Sequence, residues 1–338
     1  MPWTRSSTRA SGGVDTTLLE VQGLKVHFET RDGVVRAVDG VDFSLEEGQS
    51  LGLAGESGCG KTTAALAIMG LLPQNGKIVG GSIHYAGYDL TQMTNNQIRG
   101  IRWRHISIIF QGAMNALNPV KKVGEQIGEP ILLHEKVDEE VDNKRVGELL
   151  ELVGIHRDRA EDYPHEFSGG MRQRVMIAMA LACNPKIVIA DEPVTALDVM
   201  IQAQILELLE RLKRELGLSM ILISHDLSVM AETCDQMAIM YAGKIVETGS
   251  VRDVFKRPNH PYTKDLIAAF PDIDGPGLLP AYIPGLLPSL IDPPKGCRFH
   301  PRCKHAWEKC IDYEPRFDSV EEGHRSACHL NAQGASKP

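Results

Sequence analysis

The sequence predicts an α/β fold, and three observations carry the prediction. The first is the stretch Gly55-Glu56-Ser57-Gly58-Cys59-Gly60-Lys61-Thr62-Thr63, which reads G-x-x-x-x-G-K-T between two apolar runs. The second is a set of short, buried-type strands ending on polar or acidic residues: Ile106–Phe110 before Gln111, Ile187–Ala190 before Asp191, and Met220–Ser224 before His225. The third is a helical stretch lodged between the first two of those strands.

The glycine-rich stretch has the context its pattern needs. Leu51-Gly52-Leu53-Ala54 precedes it as a strand, and Ala64–Met69 follows as a helix. Gly55, Gly58 and Gly60 let the backbone bend so that successive N–H groups, including those of Ser57 and Cys59, converge on one point. A helix beginning near Lys61 aims its positive end at the same point. Lys61 adds a charge suited to β- and γ-phosphates, and the Thr62 hydroxyl, next to Thr63, is suited to Mg²⁺. The structural alternative is a glycine-rich turn that only opens a helix. Read as chemistry, the motif predicts binding of ATP or GTP.

Composition bounds the rest. The 338 residues suffice for one large domain with an appendage, or for two domains. A hydrophobic content of 43% is ordinary for a chain with a substantial core. The net charge of −8 speaks against a dedicated nucleic-acid binder. The longest apolar run, Val175–Cys183, has nine residues, against the roughly 20 that a membrane span needs. Residues 1–17, rich in Ser, Thr and Arg with Gly12-Gly13, read as a disordered tail and not as a signal peptide. A cytoplasmic protein is expected, where seven cysteines would be odd as disulfides.

In chain order, residues 18–54 read as β structure. Leu24, Val26 and Phe28 alternate with Lys25 and His27, then Val41, Phe43 and Leu45 with Asp42 and Ser44, about a turn at Asp32-Gly33. Phe28 fits either a core position or a platform for a purine ring. After Gln111, residues 115–119 read as a loop and about 123–160 as helical. Val146, Leu149, Leu150 and Val153 make one apolar stripe there. Phe167-Ser168-Gly169-Gly170-Met171-Arg172-Gln173 then opens an apolar helix that Asn184-Pro185 stops. Ser168 suits an N-cap, and the two glycines leave backbone N–H groups uncovered, giving a second anion-ready helix start.

Asp191, at a strand end, suits a Mg²⁺ held through water, and Glu192 suits a base for an attacking water. An acidic strand-end turn is the alternative. A His at a strand end, as His225 is, is more often a structural hydrogen-bonder than a catalytic group unless other motifs converge on it. Ile239–Val246 reads as a hairpin about Ala242-Gly243. Residues 271–296 are rich in Pro and Gly and read as irregular.

Taken together, Gly55–Thr62, Gln111, Ser168–Gln173, Ile187–Glu192, Thr195-Ala196-Leu197-Asp198 and His225 resemble the full motif set of an ABC-transporter ATPase. That resemblance implies an ABC-type P-loop nucleotide-binding domain over about 18–255: a RecA-like core sheet, an antiparallel β subdomain, and a helical subdomain over about 112–175. It implies that Phe28 stacks on adenine, where the family more often has Tyr or Trp. It implies that Thr62, Gln111 and Asp191 hold Mg²⁺, that Glu192 is the general base, and that His225 contacts the γ-phosphate. Ser168, Gly169, Gly170 and Gln173 would face ATP bound to a partner subunit, and Asp198 the subunit interface. Phe167 and Met171 depart from the common signature, which has Leu and Gln there; both are typical of one branch.

That branch is indicated by His260-Pro261-Tyr262-Thr263-Lys264 and by Gly296–Cys303. These resemble the C-terminal extension (256–338) of dipeptide, oligopeptide and nickel importer ATPases. The implied partners are a second homologous ATPase, two permease subunits and, indirectly, an extracytoplasmic solute-binding protein, on the cytoplasmic face of the membrane. The competing readings are a soluble ABC ATPase not coupled to transport and an iron–sulfur assembly ATPase. Cys297, Cys303, Cys310 and Cys328 follow C-x₅-C-x₆-C-x₁₇-C in the irregular extension. Zinc sites commonly pair ligands two to four residues apart, and no such pair is present. The resemblance implies a [4Fe–4S] cluster, with zinc or free thiols as alternatives.

Overall fold

A computed structural model describes residues 16–112, 116–135, 137–195, 197–269 and 283–331. The expected N-terminal tail falls almost wholly outside the described residues, as do Asn115, Ala196 and the first half of the Pro/Gly-rich segment.

The chain opens with strands β1 (Thr17–Thr30), β2 (Gly33–Glu46) and β3 (Ser50–Ala54), then helix α1 (Lys61–Ile68), β4 (Gly76–Tyr85) and β5 (Tyr88–Asp89). There follow α2 (Asn95–Ile101), β6 (Ile106–Ile109), α3 (Val123–His134), α4 (Glu139–Leu152) and α5 (Gly169–Leu181). Next come β7 (Ile187–Asp191), α6 (Val199–Leu216), β8 (Ser219–Ser224), α7 (Leu227–Thr233), β9 (Gln236–Tyr241) and β10 (Lys244–Ser250). The C-terminal stretch holds α8 (Val251–Lys256), α9 (Pro261–Ala268), α10 (Glu308–Asp312), β11 (Asp318–Glu321) and β12 (His324–Ser326). The chain packs as two compact units.

The first unit joins the chain up to Leu45, residues 50–91, and everything from Ser224 onward. One of its sheets has the order β2-β1-β4-β5. Leu19 and Val21 are buried, and so are Leu24 and Val26, one residue out of phase. The break falls at a register shift between Gln22 and Lys25, where Gly23 takes φ 54°. The bulge lets both pairs reach the same core. In β2, Val41, Phe43 and Leu45 are buried while Asp42 and Ser44 are exposed, the alternation expected of a half-buried strand.

The same unit pairs β3 with β9 in parallel and β9 with β10 as a hairpin, turning at Ala242 (φ 47°) and Gly243 (φ 82°). Those angles suit a tight primed turn. Beyond β10 lie β12 and then β11. The extension is therefore less irregular than the sequence predicts: Glu247 pairs with Ser326 and Thr248 with Arg325. Strands of three and four residues are too short to show a periodicity.

The second unit, residues 46–49 and 92–223, holds β6, β7 and β8 as parallel neighbours, with β7 in the middle. Every residue of β7 and β8 is buried, which explains why these strands read as unbroken apolar runs. The stripe Val146, Leu149, Leu150 and Val153 is buried as predicted. Helix α5 ends at Leu181, ahead of Asn184-Pro185, and α6 ends on Gly217 in the left-handed conformation. Among the described residues, no helix is long and apolar enough to cross a membrane.

Candidate nucleotide site

The glycine-rich loop is shaped by close backbone approaches. A Cβ on Gly55 (φ 147°) would stand 2.1 Å from the Met240 carbonyl oxygen, and one on Gly60 (φ 111°) 2.3 Å from that of Ala37. No other residue fits at either place. Gly60 is the N-cap of α1 and offers no side chain to its N–H groups, so the helix start is left open to an anion. Ser57, Gly58 and Thr62 are exposed, and Thr63 is half-buried. Lys61 is buried, and its Nζ donates to the carbonyl oxygens of Gly55 (2.6 Å) and Glu56 (3.1 Å). Burial pushes the Cys59 thiol pKa up, against the opposing pull of the Lys61 charge.

Two residues of the C-terminal stretch grip this loop. The Tyr262 hydroxyl accepts the Glu56 backbone N–H at 2.9 Å. Arg302 donates to both carboxylate oxygens of Glu56, at 2.7 and 3.0 Å. Burial holds the Tyr262 phenol far above its ordinary range, so it stays neutral. Sequence reasoning reached Tyr262 and Arg302 only as parts of the importer-like motifs, with nothing to say what they touch.

Phe28 is half-buried on β1, opposite Gly76 of β4. A Cβ on Gly76 would come within 2.6 Å of the Phe28 ring, so the glycine makes room for it. A fully enclosed core position is thereby ruled out. His225 is exposed just past β8.

In the second unit, Asp191 ends β7 and is buried. Glu192 follows with φ 46°, a left-handed conformation that costs a non-glycine residue energy. Its backbone N–H donates to the Ile223 carbonyl at 2.8 Å. Its carboxylate Oε2 accepts from Gln111 Nε2 (2.8 Å) and from Thr195 Oγ1 (2.9 Å). The structure thus brings two sequence-predicted residues, Gln111 and Glu192, together. It adds Thr195, for which the sequence suggested no contact.

Ser168 caps α5, its Oγ accepting the Met171 N–H at 3.3 Å, and is exposed. Gly169 and Gly170 are half-buried, and a Cβ on Gly170 would meet Ile201 at 2.6 Å. Gln173 differs from its neighbours in being buried. Asp198 caps α6 by accepting the Ile201 N–H at 3.0 Å, with Val199 79% and Met200 72% exposed beside it.

The four C-terminal cysteines are free thiols, Cys310 buried and the others half-buried. The Cys297 N–H donates to the Cys310 carbonyl at 2.8 Å. Burial, and then the charges of Cys328, Cys310 and Cys303, push the Cys297 thiol up to about 12. The donor chemistry is that of a thiolate site. Yet among the described residues no group of three or more His, Cys, Asp or Glu side chains is arranged to hold a metal ion. The geometry there closes no ligand set for a single metal ion such as zinc.

A glycine-rich loop opening a helix in the first unit and a strand-end Asp-Glu pair in the second are, each by itself, features of a P-loop nucleotide-binding ATPase. The comparisons narrow the class. Residues 38–195 match the ABC transporter family, and residues 246–310 match the oligopeptide/dipeptide transporter C-terminal region. The chain is 47% identical over 323 residues to the dipeptide transport ATP-binding protein DppD of Bacillus subtilis, covering 94% of this chain and 96% of that one. It is 48% identical over 313 residues to the oligopeptide transport ATP-binding protein OppD of Escherichia coli, covering 92% of each. Among solved structures it is similar to the dimeric ATP-binding cassette MJ0796 bound to ADP and Pi, at 26% identity and a TM-score of 0.63, over 69% of this chain and 99% of that one. CbiO1 from Clostridium perfringens, part of an ABC transporter complex, aligns at 28% identity with the same TM-score, over 72% and 92%. The chain belongs to the ABC transporter ATPase family, in its dipeptide and oligopeptide transport branch.

Proposed function

We propose that this chain powers import of peptides or similar small solutes from the cytoplasmic face of the membrane, by ATP-driven pairing with a second homologous ATPase on two permease subunits. The observation that carries the reading is the likeness to DppD and OppD, which extends through the C-terminal stretch as well as the ATPase motifs. An extracytoplasmic solute-binding protein would act on the same complex indirectly. Neither a soluble ABC ATPase nor an iron–sulfur assembly ATPase accounts for the match at 246–310.

In this reading the domain is 18–255, with a helical part near 112–175 and the extension from 256. The backbone of Gly55 and of residues 57–63 and the Lys61 ammonium hold the phosphates, and Phe28 meets the adenine. Thr62, Gln111 and Asp191 would hold Mg²⁺, which offsets charge on the β- and γ-phosphate oxygens. Glu192 accepts the proton of the attacking water. The Gln111 and Thr195 donors to its Oε2 orient the carboxylate for that task. His225 contacts the γ-phosphate. Ser168, Gly169, Gly170 and Gln173 belong to the surface that closes on ATP held by the partner, with Gln173 buried in the free chain. Asp198 lies at the subunit interface, where the exposed Val199 and Met200 supply apolar surface.

Hydrolysis needs charge stabilisation from all sides, so an ATP bound to one loop stays intact until a second subunit adds its helix start. Glu192→Gln should therefore keep ATP binding, hold the ATPase pair closed and lower kcat by about 10² to 10⁴. Near-normal turnover by the assembled mutant complex would remove Glu192 from the role.

We further propose that Cys297, Cys303, Cys310 and Cys328 hold a [4Fe–4S] cluster that ties down the extension. What supports it is the likeness of this stretch to the importer-type extension, whose family match covers Cys297, Cys303 and Cys310. Anaerobically purified protein should carry iron and sulfide near four each per chain. One zinc per chain would replace the cluster by a zinc site, and metal-free protein would end both.

A further inference from the structure

We propose that Arg302 and Tyr262 are positioning residues for the phosphate loop, so that the C-terminal stretch sets the affinity of this chain for ATP. The inference rests on the loop being the nucleotide site.

Glu56 is the second residue of the loop and is held at three points. Its carboxylate takes both Arg302 Nη atoms, its N–H goes to the Tyr262 hydroxyl, and its carbonyl accepts from Lys61 Nζ. A carboxylate in a loop that must receive a polyphosphate is electrostatically adverse unless it is paired. Arg302 pairs it, and the two-pronged contact fixes direction as well as distance.

Arg302 is itself fixed from its other side. Its Nε donates to the Pro284 carbonyl at 2.8 Å, and its guanidinium carbon lies 5.7 Å from the Tyr241 ring centre and 6.0 Å from that of Phe299. Its side chain is only 4% exposed. Tyr262 packs on the same aromatics, 4.6 Å from Tyr241 and 5.3 Å from Phe299 between ring centres. Both side chains that hold Glu56 are thus packed against other groups as well, and Arg302 is also hydrogen-bonded away from it.

The loop they hold is rich in glycine, and ordering glycine backbone around a phosphate costs more entropy than ordering any other. A grip already in place removes part of that cost from the binding step. Loss of the grip should therefore weaken ATP binding more than it weakens the fold.

The test is titration of the full-length chain with a fluorescent ATP analogue, with a melting curve for each variant. Arg302→Gln should raise Kd about tenfold, and Arg302→Lys, which keeps the charge but loses the fork, by less. Tyr262→Phe, which removes only the hydroxyl, should raise Kd about threefold. Adding Glu56→Gln to Arg302→Gln should restore part of the affinity, because the unpaired carboxylate is then gone. In the assembled complex the KM for ATP should rise while kcat at saturating ATP is retained. A Kd within twofold of wild type in both Arg302→Gln and Tyr262→Phe, with only the melting temperature lowered, would make the contact a fastening for the extension and overturn the proposal. So would an Arg302→Gln defect that Glu56→Gln leaves untouched. Should Arg302→Gln fail to fold, Arg302→Lys and Tyr262→Phe carry the test. Lys61→Ala separates the two readings: unaltered ATP affinity there would end the phosphate-loop reading itself, whereas loss there with intact affinity in the other variants ends only the grip.

Discussion

The two helix starts at Lys61 and Ser168 are built from similar residues and are prepared in opposite ways. At Lys61 the N-cap is a left-handed glycine with no side chain, and the loop before it is gripped by Tyr262 and Arg302. At Ser168 the helix caps itself through the serine hydroxyl and stands exposed. The first start has no side-chain cap for its N–H groups, whereas the second caps one of them itself. A loop with open donors and a locked frame suits tight binding by one chain alone. A self-satisfied, exposed start suits a surface that engages only when another subunit presents a ligand to it.

Substitution at each start is the sharpest way to break this contrast. Lys61→Ala should weaken ATP binding by the isolated chain by roughly 10- to 100-fold, the scale of losing charge-assisted contacts to phosphate. Ser168→Ala should leave that binding unchanged while lowering stability by about 1 kcal/mol through loss of the cap. Equilibrium titration and thermal melts separate the two. Equal losses of ATP affinity in both variants would dissolve the contrast.

Thr195→Val bears on the second unit in the same way. It deletes the hydroxyl that donates to Glu192 Oε2 but keeps the branched shape. Gln111 still holds the carboxylate, so hydrolysis by the complex should fall about tenfold, far less than for Glu192→Gln. ATP binding should be unchanged. A fall as large as that of Glu192→Gln would mean that Thr195 does more than orient the base.

The sequence made legible whatever is local and periodic. The phosphate loop, the caps at Ser168 and Asp198, the Val146–Val153 stripe and the turn at Ala242-Gly243 are each specified within a few residues by chemistry that a pattern exposes. The grip on Glu56 is different. It joins positions 246 residues apart, and no spacing rule links a carboxylate in a loop to an arginine in an irregular stretch. The Thr195 contact escaped for another reason: a threonine after a strand-end Asp-Glu-Pro-Val looks like any turn residue until the backbone of Glu192 is seen at φ 46°. The same holds for β11 and β12, whose place beside β10 depends on Glu247, a charge buried without exposure and satisfied by His324, Asn259 and His260.

A last effect, on stability and not on turnover, concerns His260, at the root of the extension that makes the grip. It is 1% exposed; its Nδ1 accepts the Tyr262 N–H at 3.0 Å, and its own N–H donates to Glu247. Burial, helped by the nearby Lys264 charge, depresses its pKa from the ordinary 6.5 to about 3. Above pH 6.5 the imidazole is neutral in both folded and unfolded chains and adds no pH dependence. Below 6.5 the unfolded chain takes up a proton that the folded chain refuses. Stability then falls by at most about 1.4 kcal/mol per pH unit until the folded value near 3 is reached. His260→Asn keeps an acceptor for the Tyr262 N–H and removes the titration. Its melting temperature should start lower at pH 7.5, because packing against Phe299 is lost, and then decline less steeply than wild type between pH 6.5 and about 4. Parallel declines would assign the acid sensitivity of this region to other groups.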